Sequence, residues 1–253
     1  MKHKSFTGSL VLPMLATVFV SSPLLADDGD PANEFRLTLS PYHPIKGNLS
    51  GFTQLGYYYN PDKDYSRYYL GWPRIVYAVK PWLQLWGGLM NMYTDNLGKT
   101  NQLELRPFAG VKLFILNQAK INLYNFTRYE YRMTDDLDSG DWTYVNRIRS
   151  RFGAEVPLTS RENAWQTNTF YSLVDAEYFY RFDRDVIDPL RVRAGVAYIL
   201  NDRLRLEFIY HAGFTRKDES GTLEYTENIF RLNIKIGLTE GILRRVLSPS
   251  SDD

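Results

Sequence analysis

From Leu190 to Phe214 the chain alternates apolar and charged positions through two consecutive segments. The even set is Leu190, Val192, Ala194, Val196, Tyr198 and Leu200, then Leu204, Leu206, Phe208, Tyr210, Ala212 and Phe214, while Arg191, Arg193, Arg203, Arg205 and Glu207 are odd. A period of two marks a strand with two unlike faces, because successive side chains point to opposite sides. A two-residue loop Asn201-Asp202 would set Leu200 opposite Arg203 and move the apolar face to odd positions, which does not happen. The spacing therefore predicts that Leu200 faces Leu204 across a three-residue turn, Asn201-Asp202-Arg203, with one residue left-handed as Asn and Asp tolerate. The result is a long antiparallel hairpin with one greasy wall and one charged wall.

The same alternation recurs along the chain: Ile75, Tyr77, Val79, Leu83, Leu85 and Leu89; Leu103, Leu105, Val111, Leu113, Ile115, Ile121, Leu123, Tyr129 and Tyr131; Trp142, Tyr144, Ile148, Phe152, Ala154, Val156 and Leu158; Val174, Ala176, Tyr178 and Tyr180; Phe230, Leu232, Ile234, Ile236 and Leu238. Phe35, Leu37 and Leu39, with Leu55, Tyr57 and Tyr59, suggest two weaker strands. The pattern predicts about eleven strands of roughly 9 to 14 residues, longer than an ordinary strand. Tight turns alternate with longer polar segments at 61–66, 94–101, 134–141, 183–188 and 217–224. That arrangement fits an all-β, up-and-down antiparallel transmembrane barrel. Bacterial single-chain barrels have even strand numbers. Ten would leave Phe35 to Pro41 outside the membrane, and twelve would need a strand in GILRRVL (241–247), which Arg244-Arg245 interrupts.

Lys2 and Lys4 precede the apolar run Leu10 to Val20 and the segment SSPLLA, which predicts a signal peptide over 1–26 cleaved after Ala26. An uncleaved anchor is the alternative. The expected organisation is then a barrel over 27–240 and a C-terminal tail over 241–253. The chain contains no cysteine, so neither a disulfide framework nor a lipid-modified cysteine is expected. No later stretch approaches 18 uninterrupted apolar residues, which argues against helical spans. A formal charge of +1 argues against a nucleic-acid partner.

Three observations turn the apolar wall outward. Tyr57, Tyr59, Tyr68, Tyr93, Tyr131, Trp142, Tyr144, Tyr180 and Phe214 gather at strand ends beside the long connections, like an interfacial girdle. The charged wall is rich in Arg, with 20 Arg against 10 Lys in the chain, and Arg is the residue for packed ionic lattices. The signal directs the chain to an envelope where such barrels reside.

The segments YYLGWPRIVYAVKPWLQLWGGLMNMYT (68–94), NQLELRPFAG (101–110), FTRYEYR (126–132), RIRSRFGAEVPL (147–158) and DAEYFYR (175–181), with the opening hairpin, resemble a family of uncharacterised bacterial outer-membrane β-barrels, a domain of unknown function. The resemblance covers nearly the whole mature chain, and the order of the motifs is more specific than any one of them. It implies location and fold but offers no reaction and no catalytic residues. Such barrels often end on an aromatic residue, which this chain lacks.

The expected lumen charges are Glu104, Arg106, Lys112, Arg128, Glu130, Arg132, Arg147, Arg149, Arg151, Glu155, Asp175, Glu177, Arg181, Arg191, Arg193, Arg203, Arg205, Glu207, Glu227, Arg231 and Lys235. They serve either as a structural ion-pair network that fills the lumen or as a narrow pore favouring small anionic solutes. The competing class is a soluble exported β-barrel with a ligand in an apolar cavity. A lipid hydrolase ranks last, because of the processed chain's two histidines His211 has no serine in its strand and His43 lies between Pro41 and Pro44 in a turn. Asp135, Asp136, Asp138 and Asp141 could approach a cation, but their spacing is not an EF-hand loop. No cofactor motif is present. The expected partners are outer-membrane lipid and lipopolysaccharide, the barrel-assembly machinery and, for a pore, a small anion.

Overall fold

The computed structural model describes residues 31–118, 120–159, 165–184, 186–216 and 221–247. The expected signal peptide and the tail beyond residue 247 lie outside them. Strands β1 (Ala32–Lys46), β2 (Leu49–Asn60), β3 (Tyr65–Lys80), β4 (Leu83–Asn96), β5 (Gln102–Gln118) and β6 (Ile121–Asp136) come first. After them come β7 (Asp141–Pro157), β8 (Thr169–Arg181), β9 (Val186–Asn201), β10 (Leu204–Arg216) and β11 (Leu223–Gly237), then a short helix, α1 (Ile242–Leu247). The strands are 12 to 17 residues long. A tilted strand needs only about 9 to 11 to cross a bilayer.

The eleven strands close into one barrel, each beside its sequence neighbours. The even count expected from bacterial barrels does not hold. Phe35 to Pro41 belongs to β1, and GILRRVL supplies a helix rather than a twelfth strand. With an odd number of alternating strands the first and last run the same way, so the closing pair, β1 with β11, is parallel from Ala32↔Glu227 to Tyr42↔Gly237. Its inner side is joined by a hydrogen bond between Thr38 and Asn233. On its outer side Phe35 stacks on Phe230 with ring centroids 5.5 Å apart.

Four tight turns keep the apolar wall on one side by the same device. At the β9–β10 turn Asn201 faces Leu204, but Ile199 faces Arg205. A two-residue turn reverses the parity, and a one-residue bulge at Leu200 restores it. Ile45, Val79 and Ile115 are the corresponding extra residues at the β1–β2, β3–β4 and β5–β6 turns. The expected phase is therefore present, but Leu200 does not pair directly with Leu204, and none of Asn201, Asp202 and Arg203 has a positive φ. The β7–β8 connection, 158–168, shares the rim of the tight turns yet is long, so the division into short and long rims has one exception.

The two walls are unambiguous. Phe208 is 63% exposed, while its neighbours Glu207 and Ile209 are 3% and 6% exposed. Leu37, Ile75, Leu85, Phe152, Val174 and Phe230 lie on the same outer surface as Phe208. Arg193 and Arg205 point into the lumen and are buried. Among the described residues no helix is long and apolar enough to cross a membrane.

Candidate functional site

The lumen is the candidate site, and register builds it. Inward residues two apart on one strand meet inward residues directly opposite on the next, so a carboxylate is reached from both. Glu130 on β6 faces Arg147 on β7, and Asp175 on β8 faces Arg193 on β9. Glu130 lies 2.5 Å from Arg128, 2.5 Å from Arg147, 3.7 Å from Arg149 and 3.8 Å from Arg106. Glu104 accepts from Arg106 at 2.6 Å and from both arms of Arg132 at 2.9 and 2.8 Å. Glu177 binds Arg149 at 2.5 Å and Arg151 at 2.7 Å, and Asp175 holds Arg193 by two bonds of 2.5 Å. Paired forks of this kind are the strong form of the charged hydrogen bond.

The lattice continues around the wall. Glu207 accepts from Lys235 at 2.5 Å, Asn233 at 3.0 Å and the Tyr171 hydroxyl at 2.9 Å. Arg205 reaches Glu155 at 3.2 Å and also bonds Tyr171. Arg191 stands 3.6 Å from Glu227. Arg231 lines the same cavity with no ion pair among the described residues. Arg181 lies at the rim of the long connections, bound to Asp183 at 2.6 Å. Arg203 departs from the expected lumen set: it is exposed at the opposite rim, 3.4 Å from Glu240, because it occupies the turn itself.

Sequence reasoning missed the other half of the interior. Buried Tyr42, Phe52, Trp72, Trp86, Phe108, Phe114 and Phe126 form an aromatic core against α1. Glu34, Arg36, Arg67 and Arg74 also point inward, with Arg67 3.7 Å from Glu34 and Arg74 donating to Gln54 at 2.5 Å. A bulge at Leu70 hides Arg67 and Arg74, because inward positions in β3 switch from odd (Tyr65, Arg67, Tyr69) to even (Trp72, Arg74, Val76). Gly71, at φ +154, follows the bulge and was the available signal.

Helix α1 enters the barrel at the tight-turn rim. Ile242, Leu243, Val246 and Leu247 are buried. Gln84 donates to the Val246 carbonyl at 3.1 Å, Asn122 to the Leu247 carbonyl at 3.4 Å, and Arg245 to Ser50 at 3.0 Å. The return is tight, since a Cβ on Gly237 would meet Ile242 at 2.8 Å. Above the helix remains a cavity of about 400 Å³ that reaches Thr94, Gln102 and Thr134 near the long connections. Fourteen of its lining residues are basic and four acidic.

His211 is buried in the lumen, and neither ring nitrogen has a hydrogen-bond partner among the described residues. His43 sits in β1 rather than in a turn, on the outer side against Gly51, because the strand continues to Lys46. No three His, Cys, Asp or Glu side chains among the described residues converge as metal ligands. The outward aromatics near the long connections touch in pairs: Tyr57 with Tyr68, Tyr68 with Tyr93, Tyr131 with Tyr144, Tyr180 with Phe182 and Phe214 with Tyr225. Tyr59 and Trp142 are exposed on the same band.

No functionally curated protein matches the sequence. Among solved structures, an anion-selective porin from Comamonas acidovorans aligns at 12% identity over 77% of this chain and 56% of that one, with a TM-score of 0.35. The chain thus spans about half that porin's length. The family model described as "Protein of unknown function (DUF2490)" matches residues 37–223, most of the barrel, and the chain belongs to that family.

Proposed function

We propose that this protein is an integral outer-membrane β-barrel, non-enzymatic, whose lumen is closed as folded. The observation that carries this reading is α1, seated inside the tight-turn end with its backbone carbonyls bonded to Gln84 and Asn122. The apolar outer wall suits lipid, and the exposed aromatic band suits the headgroup level and contact with lipopolysaccharide. Delivery would go through the barrel-assembly machinery. A soluble barrel with an apolar cavity fits less well, since the outer wall is apolar and fourteen of the residues lining the cavity are basic. A lipid hydrolase would need a serine on His211, whose ring nitrogens have no partner among the described residues.

In planar bilayers the purified protein should be electrically silent, and Leu243→Asp, which places a charge in the apolar seat of α1, should produce openings. Steady conductance with anion preference in the unaltered protein would instead support a narrow anion path, the reading favoured by the basic excess of the cavity. Release from membranes by carbonate, without detergent, would end the membrane assignment.

A further inference from the structure

Most lumen cations have carboxylate partners, and three cations on the cavity wall do not. Among the described residues Arg74, Lys112 and Arg231 form no ion pair, although all three line the cavity of about 400 Å³. Lys112 is 8% exposed and lies against aromatic faces, 4.3 Å from the Phe114 ring and 4.5 Å from that of Tyr124. The Arg74 guanidinium lies 3.4 Å from the Trp72 ring centroid, and its Nε has no acceptor. Arg231 likewise has a buried Nε without an acceptor. Arg128 is 4% exposed and shares the wall; one of its nitrogens serves Glu130, but its Nη2 is buried and unpartnered. Arg128 and Arg231 line the same cavity as Arg74.

Burying an ammonium or guanidinium without a counter-charge is costly, and like charges on one wall add to the cost. A fold that supplies carboxylates in register to Arg147, Arg151 and Arg193 places none, among the described residues, within ion-pair distance of Arg74, Lys112 or Arg231. The missing negative charge would come from solution, through the end of the cavity marked by Thr94, Gln102 and Thr134. Its other end meets Leu247 of the plug. A planar guanidinium fork matches the oxygens of a phosphate, and several cations around one space favour more than one charge on the guest.

We propose that Arg74, Lys112, Arg231 and the free Nη2 of Arg128 form a binding site for a small, multiply charged phosphate-type oxyanion, such as pyrophosphate or a phosphate monoester. The site rests on the closed-lumen reading, because a blind chamber retains a solute that an open pore would pass. Conductance tests that reading, whereas binding to detergent-solubilised protein tests the site, so either can fail alone.

The experiment is calorimetric titration of the full barrel with sodium pyrophosphate at constant ionic strength, paired with the temperature of the heat-modifiable gel shift. Binding near one equivalent and a raised shift temperature are expected. Arg231→Gln and Lys112→Met should each weaken binding tenfold or more, yet unfold at a higher temperature than the unaltered protein when pyrophosphate is absent, since each removes an uncompensated charge. Arg203→Gln, at the exposed rim, should bind as the unaltered protein does. No binding, equal binding by Arg231→Gln and Lys112→Met, or equal loss in Arg203→Gln would overturn the site. Displacement of pyrophosphate by lipopolysaccharide would overturn its assignment to a free solute.

Discussion

Two walls that overlap at β5 and β6, one from β1 to β6 and one from β5 to β11, enclose one lumen and fill it by different means. The first packs Phe52, Trp72, Trp86 and Phe126 against α1, and the second packs carboxylates between arginines. The burial that drives such packing is non-directional. The ionic lattice is directional, because each carboxylate of Glu130 or Glu177 serves several guanidinium groups whose positions the strand register decides. One half is therefore vulnerable to lost volume and the other to lost charge. The unpaired cations Arg74 and Lys112 project from β3 and β5 of the aromatic wall, against rings.

The contrast can be broken most severely at Glu130. Glu130→Gln leaves Arg128 and Arg147 without their shared carboxylate and should destabilise the barrel by about 3 to 5 kcal/mol, read by urea unfolding in detergent. In the aromatic half, Trp86→Ala should cost about 3 kcal/mol through the cavity it leaves, while Trp86→Phe restores most of the loss. Combining Trp86→Ala with Glu177→Gln, whose partners are Arg149 and Arg151, sharpens the comparison. If the halves are independent, the two costs add to within about 0.5 kcal/mol, and a larger departure would show that they behave as one unit. The smallest effect belongs to Arg203→Gln, an exposed rim pair worth less than about 1 kcal/mol.

Much of this is legible in the sequence. The alternation from Leu190 to Phe214 identifies strands and their two walls because a one-residue slip would turn every apolar side chain inward. The bulge at Leu200 was not legible as such: the phase shows that parity is restored, but a three-residue turn and a two-residue turn with a bulge restore it equally. Which charges meet was also hidden, since pairs such as Asp175 with Arg193 depend on register between strands. In α1 the buried positions 242, 243, 246 and 247 follow a helical period with Arg244 turned outward. Six residues are too few for that period to stand out against a strand pattern. Strand parity misled for a different reason: an even count follows only if the closing pair is antiparallel.

The parallel seam between β1 and β11 bears on how the molecule comes to exist. Every other strand pair joins neighbours in sequence, whereas Thr38 and Asn233 are 195 residues apart. Hairpins can form as soon as their two strands are available, but the seam cannot begin to zip until β11 is in place. Such distant contacts are slow to make, and until they form the curled sheet keeps two unsatisfied edges open to other chains. The rate of ring closure, rather than of any hairpin, then governs how long the nascent barrel is exposed to mispairing.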